Sequence, residues 1–190
     1  MEKGKLIILA APSGSGKSTL AKMLFDDFEE LKFSISATTR SPRKDEVNGV
    51  HYHFLSKEDF QKRIDAEDFL EWEEFYSGTR YGTLRSEVDK KLETGYFILL
   101  DVDVKGAVNV KRIYGDDSLS LFIQPPSLKV LKQRLEARGT ENEYSLGLRL
   151  ERASEELEYA DQFDQVIIND DLDTAYAQVK HAVSKFMNLI

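Results

Sequence analysis

The stretch "AAPSGSGKSTLAKMLF", Ala10 to Phe25, decides how the rest of the chain is read. An apolar run, Lys5–Ala10, leads into it, and Leu20, Met23, Leu24 and Phe28 recur at helical spacing behind it. The order is strand, Gly-rich loop, helix. Within it, Ala11-Pro12-Ser13-Gly14-Ser15-Gly16-Lys17-Ser18 has the spacing of a phosphate-binding P-loop. Glycines let backbone N–H groups turn toward one point, and the helix N-terminus adds partial positive charge. Lys17 supplies a full charge near the outer phosphates of a nucleoside triphosphate. The Ser18 hydroxyl can ligate Mg²⁺. Ala11 stands where the motif usually has glycine, a replacement that works if that residue needs no positive φ.

Downstream, buried strands alternate with helices. "YFILLDVD" (Tyr96–Asp103), "SLSLFIQP" (Ser118–Pro125) and "QVIIND" (Gln165–Asp170) are apolar enough for strands buried on both faces of a parallel sheet. Helices are expected at "SKEDFQKRI", opened by a Ser cap, and at "LRSEVDKKLETG", ended by Gly95. Two more are expected at "SLKVLKQRLEARG", ended by Gly139, and from about Ser145 to Ala160. A C-terminal helix carries a core stripe of Leu172, Tyr176, Val179, Val183, Phe186 and Met187. Residues from about 34 to 83 break the alternation. "FSIS" (Phe33–Ser36) and "VHYHFL" (Val50–Leu55) read as strands, and "FLEWEEFYSGTRYGT" as a hairpin turning near Ser77-Gly78. The expected fold is α/β, a doubly wound parallel sheet carrying an inserted lobe.

Such sheets bind ligands at the carboxyl ends of their strands, where both the Gly-rich loop and "DVD" fall. Alternation on a strand points Asp101 and Asp103 to one face. Asp101 then becomes a candidate Mg²⁺ ligand, directly or through water. The alternative for each carboxylate is a polar cap at a strand end.

Composition sets the outer limits. A formal net charge of −8 argues against a broad nucleic-acid footprint, so any anion site must be local. With no cysteine there is no disulfide, thiolate metal site or cysteine nucleophile, which fits a reducing compartment. "KLIILAAP" is too short and too quickly broken for a signal peptide or membrane span, so a cytoplasmic protein without membrane attachment is expected. Oligomeric state is left open. His51 and His53 share a strand face but lack a third metal ligand, Trp72 reads as packing, and Tyr144 has no assigned role.

The inserted region collects Arg40, Arg43 and Lys44 with Tyr52 and Tyr81, a set suited to a phosphate dianion. Its carboxylates, Glu46 and Glu71, need another task. Here "TTRSPRKDEVNGVHYHFL", Thr38–Leu55, resembles the guanylate kinase signature T-T-R-x-x-R-x-x-E-x-x-G-x-x-Y-x-F with every fixed position filled. "FLEWEEFYSGTRYGT", "ILLDVDVKGA", "LFIQPPS", "RLEARGTE" and "VIINDDL" resemble family segments in family order, from about Lys3 to Phe186.

The resemblance implies a P-loop nucleoside monophosphate kinase that uses ATP and Mg²⁺ to phosphorylate GMP or dGMP. It implies a core (about 1–33, 84–125 and 161–190), a GMP-binding lobe (about 34–83) and a helical lid (about 126–160). Ala11, Pro12, Ser13, Gly14, Ser15, Gly16, Lys17, Ser18 and Thr19 would bind ATP, with Asn169 at the adenine. Arg40, Arg43, Tyr52 and Tyr81 would hold the GMP phosphate, and Glu46 would support the arginines. Ser36, Glu71, Thr83 and Asp103 would face guanine, with Asp101 near metal and acceptor. Thr83 stands where the family often has Ser, and Ala37 where a hydroxyl is also seen. Lys17, Arg134, Arg138 and Arg149 would screen charge on the moving phosphoryl group.

Bland alternatives stay open. Glu71 could be a solvated residue of an acidic hairpin. The three lid arginines could be an ion-pair face with Glu136, Glu141 and Glu151, and Asn169 a turn cap. Guanine chemistry favours the first reading of Glu71. A carboxylate accepts from both N1–H and N2–H of guanine but is repelled by the N1 lone pair of adenine. Two rival functions remain: a non-catalytic module binding protein ligands, and a kinase for another nucleotide or a phosphorylated sugar. Lys17 and Ser18 favour an enzyme over the module.

Overall fold

In the computed structural model the described residues are 3–74, 78–137 and 143–190. Ser77, Arg138, Gly139 and Glu141 lie outside them. The chain starts with β1 (Leu6–Ala10), α1 (Lys17–Asp27) and β2 (Leu31–Phe33). It then enters the lobe: β3 (Ser36–Thr38), β4 (His53–Phe54), α2 (Lys57–Asp65), β5 (Phe69–Glu74) and β6 (Arg80–Leu84). α3 (Arg85–Glu93), β7 (Phe97–Asp101), α4 (Val104–Tyr114) and β8 (Ser118–Gln124) return it to the core. α5 (Leu128–Ala137), α6 (Glu143–Leu157), β9 (Gln165–Ile168) and α7 (Leu172–Phe186) complete it.

The central sheet runs β2-β7-β1-β8-β9, parallel throughout. Alternation along β1 explains why helices cover both faces. Ile7 and Leu9 pack with Leu20 and Leu24 of α1 and Val179 and Val183 of α7. Leu6, Ile8 and Ala10 pack with Val88 and Leu92 of α3 and Val104, Ala107 and Val110 of α4. Each of the leucines, isoleucines and valines among them, fully buried, contributes roughly 1.5–3 kcal/mol. The doubly wound expectation holds. Among the described residues, no helix is long and apolar enough to cross a membrane.

The lobe is a second sheet, β4-β3-β6-β5, with its own small core of Ala37, Phe60, Phe69 and Leu84. Its hairpin pairs Glu71 with Thr83 and Glu73 with Tyr81. The α5–α6 pair has a small core of its own, Leu131, Leu135 and Ala153.

Local readings change in five places. "FSIS" is not one strand: β2 ends at Phe33 in the central sheet and β3 begins at Ser36 in the lobe. The strand at Val50–Leu55 shrinks to His53–Phe54, because Val50 and His51 donate backbone bonds back to Val47 in a turn. Asp103 is not on a strand with Asp101, because it caps α4, accepting from Gly106 N–H at 3.1 Å. α4 itself has no counterpart in the sequence reading. β9 is an edge strand with only Ile167 buried, rather than a strand buried on both faces.

Candidate active site

The loop between β1 and α1 turns on two glycines at positive φ, Gly14 (97°) and Gly16 (93°). Ala11 has no positive φ, so alanine is tolerated there without backbone strain. Gly16 occupies the N-cap position of α1. That helix end has no side-chain cap and no acid in its first turn, which leaves its positive end to an outside anion. Two neighbours fix the loop. A Cβ on Gly16 would fall 2.3 Å from Nδ2 of Asn169, and a Cβ on Gly14 2.9 Å from Leu131 of α5. Asn169 is buried and donates to the Ser15 carbonyl at 2.7 Å.

Lys17 Nζ lies 2.5 Å from Asp101 Oδ1 and donates to the Val102 carbonyl at 2.6 Å. Arg149 of α6 donates to Ser13 Oγ at 2.9 Å. A cavity of about 880 Å³ follows the loop from Ala11 to Thr19. Its far wall includes Asp101, Asp103, Tyr144 and Arg149. Arg134 stands on the other side of the loop. It donates to the carbonyls of Asn169 (2.9 Å) and Asp170 (3.3 Å) and lines a smaller cavity with Gly14, Gly16 and Asn169.

A further cavity, about 570 Å³, brings together Ser36, Tyr52, Glu71, Tyr81, Asp101 and Asp103. Thr83 is buried beneath it and donates to Glu71 Oε1 at 2.5 Å. Burial pushes the Glu71 carboxyl up to about 7; Asp103 and Glu73 add to the rise and the Thr83 hydroxyl opposes it. Arg40 forks onto Glu46 at 2.6 and 2.7 Å and lies over the Tyr52 ring, 4.9 Å from its centroid. That fork, with the Arg43 N–H, holds Glu46 down at about 2, so both partners stay charged. The Arg43 side chain is exposed, and its N–H donates to Glu46 at 2.7 Å. Arg138 lies outside the described residues.

Asp101, Val102 and Asp103 line both the loop cavity and the lobe cavity, together with Glu73, so the end of β7 forms part of their common wall. Although Asp103 left the strand, the cap that holds it keeps its carboxylate in that wall. For a metal, the first turn of α1 offers the Ser18 hydroxyl and the end of β7 the Asp101 carboxylate. Among the described residues, no group of three or more His, Cys, Asp or Glu could hold an ion. One hydroxyl and one carboxylate fit Mg²⁺ that takes its remaining ligands from phosphate and water.

Sequence reasoning passed over Arg152 and Glu73. Arg152 follows Arg149 by three residues on α6 and lies on the loop cavity, paired with Glu73 of β5 at 2.7 Å and Glu156 at 2.8 Å. Its spacing to Glu156, four residues apart on a helix, was the available signal; Glu73 had none, because its partner is distant in sequence. His51 Nδ1 accepts from Val47 N–H, and His53 lies 3.5 Å from Glu87. Trp72 is 43% exposed, with Arg80 over its ring.

A Gly-rich loop opening an uncapped helix at the carboxyl edge of a parallel sheet, with a lysine behind it, defines a P-loop nucleotide-binding α/β protein. The adjoining cavity in an inserted lobe narrows the class to those that bring a second ligand against the nucleotide. The guanylate kinase family model matches residues 3–186, and the chain belongs to that family. It is 52% identical to the guanylate kinase of Salinibacter ruber, over 99% of this chain and all of that one. It is 51% identical to that of Chlorobium luteolum, over 97% and 93%. The crystal structure of guanylate kinase from Anaplasma phagocytophilum superposes with a TM-score of 0.71 at 27% identity, covering 97% of this chain and 87% of that one.

Proposed function

We propose that the two cavities divide the family's reaction, ATP-dependent phosphorylation of GMP to GDP, into a donor side and an acceptor side. The observation that carries this division is the shared wall at Asp101–Asp103. Two ligands on either side of it meet with their phosphates between Lys17 and the Arg40–Tyr52–Tyr81 group.

On the donor side, Ala11–Thr19 wraps the ATP phosphates with backbone N–H groups, and Lys17 neutralises the outer ones. Arg149, held beside Ser13, reaches the same phosphates, and Arg138 is assigned the same charge-screening role. Asn169 borders the adenine side, and Arg134, expected from the sequence to screen charge on the moving phosphoryl group, is held there instead by the Asn169 and Asp170 carbonyls. Ser18 and Asp101 would hold Mg²⁺, Asp101 directly or through water, and the ion would supply positive charge against the outer phosphates.

On the acceptor side, Arg40, Arg43, Tyr52 and Tyr81 bind the GMP phosphate, with Glu46 holding the Arg40 fork rigid. Ser36, Glu71, Thr83 and Asp103 read guanine. Thr83 points its proton at one Glu71 oxygen, which orients the carboxylate toward the base. dGMP is accepted as well as GMP. The transfer is an in-line displacement: a GMP phosphate oxygen bonds to the γ-phosphorus as the bond to ADP breaks. That oxygen is already deprotonated near neutral pH, so the site needs positioning and charge neutralisation rather than a strong base.

Two hydrophobic clusters on the central sheet, one in the second sheet and one between α5 and α6 support a division into core (about 1–33, 84–125 and 161–190), lobe (about 34–83) and lid (about 126–160). The activity is assigned to the cytoplasm, a reducing compartment compatible with a chain that has no cysteine. An assay with ATP, Mg²⁺ and each nucleoside monophosphate tests the reading. GMP and dGMP should be turned over, and AMP, CMP and UMP poorly. Comparable turnover of AMP and GMP overturns the base assignment.

A further inference from the structure

Arg149 and Arg152 are three residues apart on α6, and they look in opposite functional directions. Arg149 meets the loop at Ser13. Arg152 meets β5 of the lobe at Glu73, 2.7 Å away. Glu73 is two residues from Glu71, so alternation puts both on one face of β5. Their cross-strand partners on β6 are Tyr81 and Thr83. A pull on Glu73 is therefore a pull on the strand pair that carries the acceptor-site residues. Arg152 is also held from behind by Glu156, which is buried on the same helix, so its fork is aimed before it meets the lobe. The Arg152–Glu73 pair crosses two bodies with separate small cores and no side chain in common.

The geometry points to Arg152 as a positioning residue: with Glu73 it clasps the lid helix to the acceptor lobe, so that each nucleotide strengthens binding of the other. This rests on the donor and acceptor assignment above. An ion pair with one partner on each body persists only while lid and lobe stay together, the arrangement seen at 2.7 Å. A ligand that binds better to that arrangement favours it for the other ligand too, and such coupling is reciprocal.

The test is calorimetric titration of GMP with and without a non-hydrolysable ATP analogue, on wild type, Arg152→Gln, Glu73→Gln and the double variant. In wild type the analogue should tighten GMP about tenfold, within the usual range of such couplings. Either single substitution should reduce that factor to about twofold or less. The double variant should be no worse than either single one, because both remove one interaction. Because Arg152 lines the loop cavity and Glu73 both cavities, the readout is the ratio of GMP affinities with and without the analogue, which general loosening of the fold or a direct loss of one ligand contact would leave at its wild-type value. Glu73→Gln keeps the Arg152–Glu156 pair and so reads the clasp even if Arg152→Gln, which strands buried Glu156, fails to fold. High salt should weaken the wild-type coupling, since the pair is partly exposed. Additive losses, or coupling retained in Glu73→Gln, overturn the clasp, as does wild type without coupling. Failure of wild type to bind GMP at all overturns the acceptor assignment instead.

Discussion

Glu71→Gln should make the protein more stable and less active at the same time. In the free protein the Glu71 carboxyl is pushed from 4.5 to about 7, chiefly by burial and then by Asp103 and Glu73. Keeping it ionised above pH 7 therefore costs the folded state roughly 3 kcal/mol. The folded state holds this proton more tightly than the unfolded state, so stability from this group is highest below pH 4.5 and falls as pH rises toward 7. Glutamine never ionises. Because Glu71 is partly open to solvent in the acceptor cavity, a gain of about 1–3 kcal/mol at pH 8 is the realistic expectation. For a chain of this length that is a rise in Tm of about 2–10 °C at pH 8, and almost none at pH 4.

Activity moves the other way. The carboxylate accepts both N1–H and N2–H of guanine, in charge-assisted bonds worth about 1.5–3 kcal/mol each. An amide accepts one and turns its own N–H toward the other. The loss is about 3 kcal/mol, or roughly 100-fold in kcat/KM for GMP, with KM for ATP nearly unchanged. Thermal melts at pH 4 and 8, with a coupled assay at pH 8, read both effects. A lower Tm at pH 8, or equal losses toward GMP and ATP, would refute the argument.

Wild-type KM for GMP should fall as pH rises from 6 to 8, since the ionised form of Glu71 is the one that binds guanine; a flat profile counts against that role. Lys17→Ala should cut kcat by about 10²-fold or more while circular dichroism stays native, because its ion pair with Asp101 anchors the loop's edge rather than the core. Near-normal turnover would contradict the donor-side assignment. Gly16→Ala combines a φ of 93° with a Cβ 2.3 Å from Asn169 Nδ2, so it should cost about 1–3 kcal/mol in denaturant melts and raise KM for ATP more than for GMP. Arg40→Lys should weaken GMP binding by about tenfold or more in titrations, since an ammonium cannot keep the fork onto Glu46 or the stacking on Tyr52.

Much of this protein is written locally. "AAPSGSGKS" specifies a loop because glycine alone tolerates the positive φ at positions 14 and 16, and the apolar runs around it specify buried parallel strands. The helix caps at Ser56 and Asp171, the hairpin at Phe69–Leu84 and the signature from Thr38 to Phe54 need only near neighbours in the chain. Other features depend on distances that spacing does not encode. Asp103 lies beyond β7 and caps α4, yet it lines the wall between the cavities because the helix begins where the sheet ends. The raised Glu71 depends on burial between the lobe and the sheet edge, with Asp103 and Glu73 brought near it by the fold adding to the rise. Arg152 and Glu73, far apart in sequence, meet only once the lid helix lies against the lobe strand. Backbone conformation and hydrophobic periodicity are set by short segments, so the sequence determined the loop, the strands and the residue types of the site. Desolvation and charge pairing depend on the three-dimensional approach of remote groups, so the tertiary structure alone decided which carboxylates share a wall and which arginine joins the two sides.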